Sequence, residues 1–451
     1  MKASSLRRTR HGSGLRHGSP QRGPSKQALP ADRLRAFAGL VVGLLLIATA
    51  VAFDAAARDS FRLPKLLLAE VLGLASLVPL WLAALGRAAE RPLWKTTALL
   101  AVAPLALAAA LSAVTSSHPE AAREGLWHAS VGFACLIGWS SGLGGRRLRR
   151  LLDLLLLPAT LLAAIALLQA AGSFRPVELL VPLGARFEMI SLAGNVGDLA
   201  MYLALPTLIA FAGFLEGRGR RRLALGLSLA LLAATLLVTR TVTVLIAVAI
   251  GCLVAGALRL DRRGFLRLAA LLGLVVVLGM FFVPGLGDRV RMNAEALVEG
   301  KFNILLSGRL DGWRAAVWMF EEHPLTGVGV GAFATEFSPA RLALWKAPDD
   351  AAVQAYYGSF DTAHNDYLQL AAEQGAVGIL AFCVTLAVCV VALRGRRGAL
   401  AADQALGAGG AATLAVVAFG DFPFELALTA YPALVFLAWL LADEEEGPVS
   451  P

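Results

Sequence analysis

His364 lies just ahead of a hydrophobic block, in the stretch TAHNDYLQLAAEQGAVG (362–378) that runs into ILAFCVTLAVCVVAL. Imidazole changes protonation near neutral pH, so a histidine at the edge of the hydrocarbon is able to take a proton from a hydroxyl. The same position also suits a helix cap, with Thr362 or Asn365 as the capping residue. Asn365 and Asp366 either support the histidine or belong to that cap. Three arginines stand at the same expected level. Arg240 sits between two apolar runs in VTRTVTVLIA. Burying an arginine deep in a bilayer costs about 2.5–3.5 kcal/mol on insertion scales, so it either snorkels to headgroups or binds something. Arg309 opens the helical stretch RLDGWRAAVWMFEEH (309–323), where a cation opposes the helix dipole and asks for an anionic partner. Arg186 stands out by position alone.

Other chemistries find little support. Asp349-Asp350 and Glu321-Glu322 are the paired acids of the outer segments, and adjacent residues of a helix point apart, which makes a poor cation cage. GVGVG (327–331) has no strand before it and no Lys-Ser/Thr end, so it does not read as a nucleotide loop. Cys135, Cys252, Cys383 and Cys389 all fall inside apolar runs and offer neither a disulfide framework nor a zinc cluster. No metal and no cofactor are expected.

The pattern His364-Asn365, nine residues, Gly375, two residues, Gly378 matches every specified position of the O-antigen ligase signature. The chain thereby resembles the O-antigen ligase and O-antigen polymerase family. SGRLDGWRAAVWMFEEHPLTGVGVGAF (307–333) is similar to the family's segment of Gly-Arg, Trp and His-Pro-Leu with spaced glycines. VTRTVTVLIA resembles its Ser-Arg segment with Thr239 in place of serine, and AGNVGDLAMYLALP its Gly-Asn-Pro-Asn segment with Val196 and Gly197 replacing Pro-Asn. The likeness covers about 190–440; the earlier residues agree only in forming helical spans.

That resemblance implies a GT-C-like membrane glycosyltransferase. It would move a glycan from undecaprenyl diphosphate to a hydroxyl acceptor at the periplasmic face of the inner membrane. His364 would activate the acceptor. Arg240 and Arg309 would stabilise the diphosphate, since fixed guanidinium forks match phosphate oxygens and need no metal. Arg186, Asn195, Asn365, Asp366 and Trp313 are the candidate substrate contacts, with Trp313 equally suited to packing. Lipid A–core is the first choice of acceptor, a growing glycan the second and a protein the third. The Arg-to-Gly spacing that polymerases of the family carry in two outer loops is absent here, which favours a ligase.

The elements that must position these residues follow from composition. The chain is 57% hydrophobic and 16% charged, with a mean hydropathy of +0.68. Soluble domains run at about 25% charged. Apolar runs long enough to cross a bilayer recur throughout, and in lipid such runs must be helices. The expectation is an all-α polytopic membrane protein with about twelve spans near 36–53, 64–86, 96–114, 126–142, 151–171, 196–215, 223–239, 241–258, 265–283, 375–393, 400–420 and 423–442. A disordered basic tail occupies 1–35, nine spans lie in 36–283, a large folded helical loop fills 284–374, three spans lie in 375–442, and a short tail closes at 443–451. In that loop Leu310, Trp313, Val317 and Phe320 recur at helical steps.

Most of the 41 Lys and Arg cluster in alternate connections. By the positive-inside rule those connections and both termini are cytoplasmic and the large loop is periplasmic. This distribution also argues against a nucleic-acid surface; the expected partners are the lipid-linked donor, the acceptor and membrane lipids. Twelve spans also fit a secondary transporter, which places ionisable groups near mid-membrane in two related halves. Here Glu70, Asp153 and Asp198 lie toward span ends, while the histidine and arginines gather outside. An envelope-assembly scaffold is a third reading.

Overall fold

The computed structural model describes residues 29–57, 59–85, 96–173, 189–344, 360–395 and 401–442, whose regular structure is α-helical throughout. In chain order the helices are α1 (Leu29–Val51), α2 (Arg62–Leu85), α3 (Thr97–Thr115), α4 (Pro119–Gly142), α5 (Gly145–Leu154), α6 (Leu156–Ala170), α7 (Val196–Glu216), α8 (Gly219–Thr239), α9 (Val242–Arg259) and α10 (Arg262–Phe282). The large connection holds α11 (Leu286–Val298), α12 (Phe302–Leu305), α13 (Leu310–Glu322) and α14 (Phe333–Leu344), and α15 (Asp366–Gly395), α16 (Ala401–Gly420) and α17 (Ala427–Leu441) follow. The tails 1–28 and 443–451 and Arg186 lie outside the described residues.

Nine helices among the described residues are long and apolar enough to cross a membrane, with α5 and α6 joined as one of them. About twelve were expected. The other three expected segments are helical but differ in character. The first half of α4 carries Glu120, Arg123, Glu124 and His128. The start of α16 is polar and glycine-rich. With 15 residues, α17 spans about 22 Å, short of the ~30 Å hydrocarbon core.

Two helices form the centre. Burial runs along nearly all of α7 and α17, so both are apolar around their circumference. On one flank Trp139, Tyr431, Phe436 and Trp439 pack α4 against α17, and the buried Trp139 ring N–H donates to Ser76 Oγ at 2.8 Å. On the other, α6, α7, α8 and α9 share a core of Leu162, Leu199, Tyr202, Leu236 and Val244. The outer helices keep apolar side chains such as Leu74, Trp81, Leu274 and Phe281 exposed, as lipid contact requires.

Successive long helices reverse direction, which brings the connections after α1, α3, α6, α8, α10 and α16 to one rim of the bundle. Ion pairs join them there: Arg62 to Asp198, His118 to Glu336, and Arg309 to Asp421. The helix expected near 309–323 is α13, but it buries a different face. Gly312, Ala315, Ala316 and Met319 face inward while Val317 is exposed. The physical reason is proximity: a Cβ on Gly312 would sit 3.3 Å from the Ala363 carbonyl, so small side chains face the chain that carries His364.

Candidate active site

His364 is one of four non-glycine residues with a positive φ among the described residues, at 53°; Arg240 is another, at 54°. Such a backbone costs about 1–3 kcal/mol and persists only where its surroundings hold it. They do here. Asn365 Oδ1 accepts from the N–H groups of Tyr367 and Leu368, at 3.0 and 3.1 Å, capping α15. On the other side the Ala363 N–H donates to Gln369 Oε1 at 3.0 Å. The Gln369 amide in turn donates to Glu373 at 3.3 Å, and the Glu373 carboxylate accepts from the N–H groups of Gly331 and Phe333. The imidazole itself is held edge-to-face by Phe360 and Phe422, with ring centroids at 5.8 and 4.6 Å.

The glycine-rich segment after α13 braces this arrangement. Val328 and Gly329 donate to the Ala372 and Glu373 carbonyls, and Ala376 and Val377 donate back to the carbonyls of Pro324 and Leu325. These bonds form across a break in α15 at Gly375, whose φ is 60°. A Cβ there would stand 2.5 Å from the Leu325 backbone, so the position requires glycine.

Arg309 and His364 meet at Asp421. The Arg309 guanidinium donates to the Gly420 carbonyl and, at 2.5 Å, to Asp421 Oδ1. The same oxygen stands 3.9 Å from His364 Nδ1. Asp421 is buried in the turn between α16 and α17, and neither its Oδ2 nor His364 Nδ1 has a hydrogen-bond partner. The anion that Arg309 was expected to need is therefore a carboxylate of the chain itself. A carboxylate buried this deeply has to be paired.

The remaining expected residues are placed as follows. Arg240 ends α8, with its guanidinium against Gly285 at the start of the large connection, and its buried Nε has no partner. It lies within a turn of Thr243, which packs on Gly420, the residue whose carbonyl holds Arg309; no contact joins Arg240 to His364. Asn195 Oδ1 caps α7 by accepting from Gly197 at 2.6 Å. Asp366 Oδ2 accepts from Phe424 N at 3.3 Å. Trp313 stacks edge-on against Phe419 at 5.7 Å, and its ring nitrogen is unpartnered.

Several residues here escape a sequence reading. Asp421 lies 112 positions from Arg309 and passes for a turn residue in GDFPFE. Arg62 pairs with the buried Asp198 and places its guanidinium 5.7 Å from the Phe422 ring centroid, which abuts His364. The one available signal was an acid or base at the end of an otherwise apolar helix. Among the described residues, no three His, Cys, Asp or Glu side chains gather closely enough to hold a metal ion.

An acid–imidazole pair beside a guanidinium can take a proton from a hydroxyl and steady a developing negative charge. Fold and site together define a multi-pass helical membrane protein whose polar chemistry is gathered at one rim. Residues 227–383, roughly a third of the chain, match the family model described as O-antigen ligase. Arg240, Arg309 and His364 all lie within the matched residues. No curated protein matches the chain.

Proposed function

We propose that the protein transfers a glycan from undecaprenyl diphosphate to a hydroxyl of lipid A–core at the periplasmic face of the bacterial inner membrane. What carries this is the meeting of His364 and Arg309 at Asp421, inside and beside the ligase domain. The 3.9 Å separation of His364 and Asp421 closes when substrate binds, and Nδ1–H then donates to the carboxylate. That fixes the tautomer and leaves Nε2 free for the acceptor hydroxyl. The acceptor oxygen attacks the anomeric carbon, its proton passes to Nε2, and the bond from that carbon to the diphosphate oxygen breaks. Arg309 and Arg240 take up the charge released on the diphosphate. The short α17 and the polar α4 and α16, packed against the nine long apolar helices, complete a set of twelve spans.

The test is reconstitution of the purified chain in liposomes with a polyprenyl-diphosphate-linked glycan and a panel of acceptors. The expected product is a single glycan joined to lipid A–core. Lengthening of the lipid-linked glycan would instead make the protein a polymerase, and glycosylated protein would make it a protein-modifying transferase.

A further inference from the structure

Beside the His364 loop lies a cavity of about 260 Å³, lined among others by Arg62, Lys65, Asp198, Thr362, Phe422 and Glu425. It shares two walls with the candidate active site. Thr362 precedes His364 by two residues, and the Phe422 ring rests against the imidazole. We infer that this cavity seats the acceptor, and that the ring entering it is a sugar bearing neither phosphate nor carboxylate. This inference rests on the proposed transfer reaction.

The charges in the cavity carry the argument. Both cations are already engaged. Arg62 spans the two oxygens of Asp198 at 3.2 and 3.4 Å, and Lys65 Nζ is held by the carbonyls of Ala52 and Ala50, at 2.6 and 3.3 Å. Asp59 accepts from the N–H groups of Phe61 and Arg62 at the start of α2. Glu425 also lines the cavity; it is exposed to solvent and its carboxylate has no hydrogen-bond or ion-pair partner among the described residues. An anionic group entering here would meet this carboxylate, with Arg62 already neutralised by Asp198 and Lys65 turned to the backbone carbonyls of Ala50 and Ala52.

A polyhydroxyl ring meets the opposite. Carboxylates accept from its hydroxyls, the Arg62 edge donates, and Phe422 supplies an apolar face. The volume falls below the ~300–1,000 Å³ of drug-sized pockets, which suits one ring rather than a chain. Donor and acceptor are thereby separated by charge: the diphosphate goes to Arg309 and Arg240, and the acceptor ring to the acidic side of His364.

The experiment uses the full chain in liposomes with the lipid-diphosphate-linked glycan and a panel of simple glycosides. Each neutral glycoside is paired with its 6-phosphate and its uronate, and each is measured as an acceptor and as an inhibitor of transfer to lipid A–core. Neutral rings are expected to act at concentrations at least tenfold lower than their anionic counterparts. Glu425→Gln is expected to raise the KM for the acceptor about tenfold or more while leaving the KM for the donor unchanged. Its thermal unfolding should match the parent. Equal action of the neutral and anionic rings, no action by any glycoside, or an unaltered acceptor KM in Glu425→Gln would each overturn the inference while transfer itself persists. Absence of donor consumption by the parent chain with every acceptor would instead overturn the transfer reaction, and the inference with it.

Discussion

Asp421 is the side chain on which the two candidate catalytic groups converge, and its two roles separate by substitution. As a charge it holds Arg309; as an acceptor it orients His364. Asp421→Asn keeps the shape and removes the charge, so it should lower kcat by about a hundredfold or more, with a smaller effect on the acceptor KM. Asp421→Ala additionally leaves the Arg309 guanidinium without its partner, a loss of about 3–5 kcal/mol for a broken buried pair, read as a lowered unfolding temperature. Turnover by Asp421→Asn equal to the parent's would remove Asp421 from the mechanism. At this scale the sequence was half legible. His364 and Arg309 sit in local patterns whose residue types announce chemistry. Asp421, Arg62 and Asp198 acquire meaning only through partners more than a hundred positions away, which no local spacing encodes.

The elements that hold His364 are a broken helix and the glycine-rich strap laid along it. The strap's hydrogen bonds need the chain to pass within contact of Gly375, whose positive φ and lack of Cβ make that approach possible. Gly375→Ala should therefore destabilise the protein by at least about 1–2 kcal/mol from the backbone alone and reduce transfer in proportion. Gly273→Ala in α10, where a Cβ meets open space, should leave both unchanged or slightly improve stability. Thermal unfolding and turnover of the two variants side by side check this. A Gly375→Ala protein as stable as the parent would show that the break does not need its glycine. Periodicity located α13, and the apolar run located α15, but neither told which face of α13 turns inward. Large apolar residues at helical steps ordinarily mark the buried face. Here close packing against the Ala363 backbone selects Gly312, Ala315 and Ala316 instead. Glu373 and Gln369 were hidden for a related reason, since polar residues on a helix usually mark its solvated side.

For the whole molecule, the alternation of basic and non-basic connections assigns opposite sides of the membrane to the two ends of the bundle. A membrane-impermeant maleimide should label Asp361→Cys from outside intact cells and Arg263→Cys only after permeabilisation, on a background lacking the four native cysteines. The reverse pattern would invert the topology. Helical character and the approximate spans were legible because bilayer thickness sets the length of an apolar run. The number of spans was less so: nine of the twelve expected segments are long and apolar enough among the described residues, while α4 and α16 carry polar starts and α17 is short. The rim chemistry gives this architecture its purpose, and one comparison tests it most directly. Parent and His364→Ala proteins are reconstituted at equal levels with a polyprenyl-diphosphate-linked glycan and lipid A–core, and the glycan joined to the acceptor is measured over time. The account predicts steady transfer by the parent and none above background by a folded His364→Ala. Transfer at the parent rate by His364→Ala, or solute uptake with no glycosidic product from the parent, would contradict it.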